Sequence, residues 1–298
     1  LPISQDADAR DVVLSLMEFV EEAGQLALSI RAAGLKIGHK GQGLGQALTE
    51  ADLEISRLVR DRFGPHAIEE ETADLIGRAE ARTLLARPGW TFVADPIDGT
   101  KPYAGGLPGW GTMIAACRSG WPEASVMSLP AWFDDRTDPI QHRSPDEERG
   151  LILAAHDGVT YWAPTRGGRR IRALQVLNRP SWPTHHVGWL APAAQRYTLD
   201  YQQGFFPWSE SGAIADAALV ATGRLDATLS NHKLWDLAPI LPILCGVGHS
   251  LYHWPDLGPP PAEIIDMFDA DFAGHDDLWL LCRDREQAAA LATAIVRA

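Results

Sequence analysis

The run from Phe92 to Thr100 constrains this chain more than any other stretch, because an apolar segment leads directly into Asp95 and Asp98 and then into a Gly-Thr turn. Residues 90–94 are short, apolar and rich in aromatic and β-branched side chains, with Pro-Gly before them and Pro96 after them, which predicts a buried strand. Asp95 then stands at the carboxyl end of that strand, where α/β folds place their ligands. Pro96 fixes φ and is expected to break the ladder, so that the chain turns and carries Asp98 back toward Asp95. Gly99 allows close backbone approach, and a helix beginning near Thr100 would aim its N–H groups at an anion. The reading is a cation and phosphate site.

Alone, an Asp-Pro-x-Asp-Gly string is ordinary turn chemistry. Two further acidic segments change its weight. Glu69, Glu70 and Glu71 follow the short apolar step at residues 67–68, and Asp236 lies between Trp235 and the apolar run beginning at Leu237. An acid among bulky apolar neighbours is costly to bury unless it is paired or bound to a cation. Together these segments supply the hard oxygen donors that a Mg²⁺ site requires.

With Glu70-Glu71, Asp95 to Thr100 and Trp235-Asp236 in this order, the chain resembles the inositol monophosphatase superfamily of Mg²⁺-dependent, lithium-sensitive phosphomonoesterases. Leu219 to Ala227 is similar to the family's segment before Trp-Asp, and Thr49 to Asp52 to its early Thr-x-x-Asp. The resemblance implies a layered αβαβα sandwich, of α/β or mixed α+β class. It implies that Glu70, Asp95, the Ile97 carbonyl, Asp98 and Asp236 hold two or three Mg²⁺ ions, with Asp52 helping to hold a further ion or its waters. Thr100 with Glu70 would orient and deprotonate the attacking water, and Gly99 and Thr100 would receive phosphate oxygens. Two cations about 3.5–4 Å apart can activate water and stabilise the leaving oxygen of an in-line displacement.

The departures from the family pattern bear on the substrate. The position before Glu70 is usually Gly and here is Glu69, which leaves the ligand among Glu69, Glu70 and Glu71 open by one residue. Lys101-Pro102 replaces the common pair after Thr100. Ser230 to Lys233 stands where many inositol phosphatases carry a Glu for substrate hydroxyls. Trp208 to Gly212 occupies the place of the substrate loop one residue out of register, which makes Ser211 and Gly212 the substrate-contacting candidates.

The excess of 39 acids over 26 bases, a net charge of −13 over 298 residues, argues against a nucleic-acid groove. Cys117, Cys245 and Cys282 show no CxxC spacing and read as core thiols of a reducing, cytoplasmic compartment. No apolar run approaches membrane-spanning length, and no secretion signal is recognised.

Helical spacing predicts a long amphipathic helix over residues 11–33, with Gly34 as its stop, and a second helix after Thr49. The glycine-rich segment 36–46 reads as a mobile loop, and the resemblance implies that it folds over the metal site and supplies a lysine, Lys40 or Lys36. Strands are expected at 110–117, 123–129, 151–155 and 159–163 as an antiparallel meander, with a surface loop over 128–150. Helices at 212–222 and 237–247, a strand near 277–282 and a closing helix over 284–297 complete the pattern. Residues 1–165 would form an N-terminal α+β half with most of the metal motifs. Residues 166–298 would form a C-terminal α/β half with Asp236 and the substrate loop, the two packed as one unit.

The expected activity is Mg²⁺-dependent hydrolysis of a small phosphate monoester of the inositol- or sugar-phosphate type. Histidinol phosphate is an alternative suggested by Gly106 to Thr112, and a 3′-nucleotide is another suggested by Thr100-Lys101. A silent metal- or phosphate-binding regulator is the alternative of a different class. The resemblance also implies a homodimer.

Overall fold

The computed structural model describes residues 3–34, 37–39, 47–132, 149–179, 183–189, 191–209, 212–274 and 278–298. Among the described residues, the two larger sheets and three sets of helices stack as the expected five-layer αβαβα sandwich, with two further two-stranded pairs beside them. The outer helices are Ala9–Ala33 and Glu50–Phe63. Asp8 caps the first by accepting from Asp11 N at 2.8 Å, and Thr49 caps the second in a reciprocal capping box with Asp52. Both pack their apolar stripes, including Leu16, Phe19, Val20, Ile55 and Val59, against one face of the larger sheet.

Among the described residues that sheet has eight strands. From one edge they are Gln175–Val176, Val159–Arg166, Arg149–His156, Trp121–Ala131, Trp110–Arg118, Thr91–Asp98 and Ala67–Glu69, with Arg169–Arg170 also paired to Val159–Arg166. All pairs are antiparallel except Ala67–Glu69 with Thr91–Asp98, which is parallel. The expected meander is present, with strands that begin at the predicted residues 110 and 159 and elsewhere extend one to three residues beyond the predicted ends.

The central layer is formed by helices Ala213–Ala221 and Leu234–Gly246, whose residues are almost all buried between the two sheets. A helix apolar on every side belongs in such a place. The second sheet runs Phe206–Trp208, His186–Trp189, Ala227–Ser230, Leu278–Cys282, Ser250–Trp254. Its first two pairings are parallel, so three strands deliver their carboxyl ends to one side. Helix Arg285–Ala294 covers the far face around Leu280, Ala288 and Leu291.

Several expectations required correction. The closing helix stops at Ala294, and Ile295–Arg297 pairs as a strand with Tyr197–Leu199, because inter-strand hydrogen bonds replace a last helical turn there. Within the segment read as a loop, Ile37–His39 is a strand paired with Ala47–Thr49, while Lys36, Lys40 and residues 41–46 lie outside the described residues. Of the expected surface loop, residues 128–131 and 149–150 belong to strands, and 133–148 lie outside the described residues. Cys117 and Cys282 are buried free thiols, whereas Cys245 is exposed at the last turn of its helix, contrary to the core position expected for all three. No described helix is long and apolar enough to cross a membrane.

Candidate metal centre

The parallel pair explains which glutamate faces the site. Glu69 lies opposite Ala94, so Glu70 and Asp95 are the first residues beyond the last register pair of two adjacent strands. Side chains alternate along a strand, and the alternation is visible in the packing. Ala67, Phe92 and Ala94 join the core under the outer helices, while Ile68 and Val93 join the core of the central layer. By the same parity Glu69 turns toward helix Glu50–Phe63, and its carboxylate accepts from Ser56 Oγ at 2.8 Å. Glu70, the first residue past the strand, opens the tight turn Glu70–Thr72 and acts electrostatically on Asp95.

The turn expected at Pro96 is instead a continuation of the strand to Asp98, with a register shift between Asp95 and Asp98. Thr112 Oγ1 donates to the Pro96 carbonyl at 2.8 Å, which holds the irregular stretch against the neighbouring strand. In a regular strand, residues three apart face opposite sides; the bulge cancels that parity and lets Asp95 and Asp98 converge. Gly99 then adopts φ 79° and ψ 40°, and a short helix begins at Thr100. A Cβ on Gly99 would stand 3.1 Å from the Gly109 carbonyl oxygen, so both the left-handed backbone and the space require glycine.

The central layer supplies the other wall. Asp236 lies in the first turn of helix Leu234–Gly246 and accepts from Lys233 N at 3.1 Å. The start of helix Ala213–Ala221 closes on Asp98, whose Oδ2 accepts from Ile214 N at 2.7 Å. Gly212 allows this approach, since a Cβ there would lie 2.9 Å from the same oxygen.

Carboxylate oxygens of Asp95, Asp98 and Asp236 all lie within 4.8 Å of one another. Asp95 is 3% exposed and Asp98 9%. Burial raises the Asp95 carboxyl well above its ordinary range, and the charges of Glu70, Asp98 and Asp236 raise it further. Asp236 is raised for the same reasons, burial first and then Asp98 and Glu70. Asp98 is pushed up to about 7 by burial, against the lowering effect of the N–H groups of Ile214, Ala213 and Gly99. Asp95 Oδ1 is buried with no hydrogen-bond partner. Buried polar atoms are nearly always partnered. Like-charged carboxylates held this close, with one orphaned oxygen, fit a hard divalent cation of the Mg²⁺ or Ca²⁺ kind.

The remaining predicted residues fall around this centre. Glu70 is outside the 4.8 Å set but acts electrostatically on all three aspartates. Asp52 is fully buried and is linked to the site through Thr100, whose Oγ1 lies 3.2 Å from Asp52 Oδ1 and 3.1 Å from the Ile97 carbonyl. Ile97 itself is buried in the core under the outer helices. Gly212 abuts Asp98, and Ser211 lies outside the described residues. Two contributions were missed from sequence. The Ile214 N–H is a backbone donor and leaves no side-chain signature, and the partners of Glu69 are signalled only by the four-residue spacing of Asp52, Ser56 and Arg60.

Comparison with known proteins identifies the family and the fold. The model of the inositol monophosphatase family matches residues 8–297. A histidinol-phosphatase of Mycobacterium tuberculosis is 32% identical over 195 residues, which cover 65% of this chain and 68% of that protein. A Streptomyces griseus protein named glucose-1-phosphate thymidylyltransferase is 32% identical over 234 residues, covering 74% of this chain and 76% of the other. Among solved structures, the extragenic suppressor protein SuhB of Bartonella henselae superposes with a TM-score of 0.62 at 17% identity, over 95% of this chain and 98% of that one. The family match extends over nearly the whole sequence, and on it rests the assignment: this chain is a phosphomonoesterase belonging to the inositol monophosphatase family.

Proposed function

We propose that the protein hydrolyses a small phosphate monoester with Mg²⁺ bound by Glu70, Asp95, the Ile97 carbonyl, Asp98 and Asp236. The observation that carries this reading is the convergence within 4.8 Å of three carboxylates that are buried or half-buried, with Asp95 Oδ1 lacking a hydrogen-bond partner. Bound Mg²⁺ would lower the pKa of water and offset charge on the phosphate and the leaving oxygen. The protein's part is to hold and orient. Thr100 Oγ1 has one proton, which cannot serve both Asp52 and the Ile97 carbonyl. Donation to the Asp52 carboxylate leaves the lone pairs of Thr100 free to accept a hydrogen bond from a water, with Glu70 as the acceptor of the proton that water loses. Asp52 is held for this role by Thr49, whose N–H donates to Oδ2 at 2.7 Å. The backbone around Gly99 and Thr100, against which Gly212 packs closely, is where phosphate oxygens would rest, and Gly212 would be a substrate contact together with Ser211, which lies outside the described residues.

The leading substrate class is an inositol or sugar phosphate. Histidinol phosphate is a second reading, favoured by the 32% identity to the Mycobacterium tuberculosis histidinol-phosphatase. A homodimer in the cytoplasm belongs to the same proposal, and a monomer by light scattering would remove the dimer from it. The deciding assay is phosphate release from inositol, fructose, histidinol and 3′-nucleotide phosphates, each with and without Mg²⁺. Release that needs Mg²⁺ and favours one ester is expected; equal release after chelation would overturn the metal assignment.

A further inference from the structure

Glu69 is wholly buried and turned away from the carboxylate cluster, yet it is adjacent in sequence to Glu70. Both of its oxygens are engaged. Oε1 accepts from Ser56 Oγ at 2.8 Å, Arg60 Nη1 at 3.0 Å and Thr72 Oγ1 at 2.5 Å, and Oε2 accepts from Glu71 N at 2.8 Å. The donors come from two places: helix Glu50–Phe63, and the tight turn Glu70–Thr72 that presents Glu70. One carboxylate thus ties that turn to the helix. The same helix carries Asp52 one turn before Ser56 and two before Arg60, a single stripe at four-residue spacing. Asp52 in turn meets Thr100. A single helix therefore grips both the Glu70 turn and the Thr100 turn.

We propose that Glu69 is a positioning residue for ion binding, and that the stripe Asp52, Ser56 and Arg60 fixes the Glu70 carboxylate relative to Asp95 and Thr100. The inference rests on the reading of Glu70 as an ion ligand. Before an ion binds, only the protein holds Glu70 beside Asp95, Asp98 and Asp236, with which it interacts unfavourably, and a short turn has little rigidity of its own. The Glu69 anchor holds the turn in place, so that Glu70 need not be reordered when the ion enters. Outer groups that orient ligands commonly change metal affinity by about 10- to 100-fold.

The test is calorimetric titration of the whole chain with Mg²⁺, with its melting temperature recorded in chelator. Glu69→Gln is expected to weaken Mg²⁺ binding by about tenfold. Arg60→Met removes the ion-pair partner at a position whose side chain is 43% exposed, leaves the fold intact, and is expected to weaken binding in the same direction by a smaller factor. Should Glu69→Gln fail to fold, Arg60→Met carries the test. Affinities within about twofold of the parent in the folded variants would overturn the proposal, as would a lowered melting temperature with unchanged affinity, which marks a purely structural role. Glu70→Gln separates the two levels. If it leaves Mg²⁺ affinity unchanged, the ion-site assignment itself fails; if it abolishes binding while Glu69→Gln and Arg60→Met do not alter it, only the positioning role fails.

Discussion

Asp98→Asn is expected to stabilise the ion-free protein while destroying its ion response. The Asp98 carboxyl is held at about 7 in the folded chain against an ordinary 3.8, chiefly by burial. A folded-state pKa raised above the unfolded value means that the native state binds the proton more tightly, so the group withdraws stability as pH rises from about 4 to 7. At pH 8 the withdrawal is about 4 kcal/mol, and at pH 5 roughly 2 kcal/mol. Asparagine removes the charge and keeps one acceptor for Ile214 N–H, but turns the other oxygen into a donor among carboxylates and N–H groups. Allowing about 2 kcal/mol for that misfit leaves a net gain of about 1–3 kcal/mol at pH 8 and almost none at pH 5. For a chain of this length the gain corresponds to a melting temperature higher by about 2–6 °C at pH 8. The comparison must be between variant and parent at each pH, because buried His232 and His249 are drawn down to about 4 and act in the opposite sense. Thermal scans in chelator at pH 5 and pH 8, repeated with Mg²⁺, check the reasoning. In the parent, Mg²⁺ at about one hundred times its dissociation constant should add about 2.7 kcal/mol, and the variant should lose most of that gain. A variant less stable than the parent at pH 8 in chelator, or one that keeps the full Mg²⁺ gain, would refute the account of Asp98.

Thr100→Ala should lower kcat by about 100-fold or more with Mg²⁺ binding within a few-fold of the parent if, as proposed, the hydroxyl that meets Asp52 orients water and does not ligate the ion; steady-state rates beside calorimetry decide it, and a rate within threefold would contradict the role. Gly212→Ala drives a Cβ against Asp98 Oδ2 and the Gly109 carbonyl, so a loss of about 1–3 kcal/mol in denaturant unfolding is expected together with reduced turnover. The rings of His232 and His249, almost wholly buried, should show no titration between pH 5.5 and 8 by NMR, and a midpoint near 6.5 for either would show that burial does not control it.

What the sequence made legible was whatever depends on local pattern. The buried strand before Asp95, the helix after Thr49 with its capping box, and the apolar central helix bearing Asp236 each announce themselves in apolar spacing and cap residues. The choice among Glu69, Glu70 and Glu71 was not legible, because it depends on pairing register. Only when Glu69 lies opposite Ala94 does parity send it toward the outer helix and leave Glu70 to open the turn. The bulge between Asp95 and Asp98 escaped for a related reason. Proline and glycine signalled an interruption, but whether the chain leaves the sheet or stays in it is settled by the neighbouring strand, here through Thr112 and the Pro96 carbonyl. Ile295 to Arg297 continues a helical pattern in sequence and becomes a strand because Tyr197 to Leu199 offers it an edge.

The same distinction explains why Glu69 could not be told from its two neighbours in sequence. A run of three glutamates ordinarily marks a solvated face, and Ser56 and Arg60 are unremarkable residues on an amphipathic helix. Their significance appears only when two segments separated by the turn at Gly64 are laid side by side, so that the helix faces the strand and its turn. The carboxylate cluster is likewise assembled from segments far apart in sequence, with Asp95 and Asp98 from the larger sheet and Asp236 from the helix layer between the sheets. An ion held by all three would bind only the packed state, so cation binding and the docking of that helix layer on the larger sheet would be one linked equilibrium.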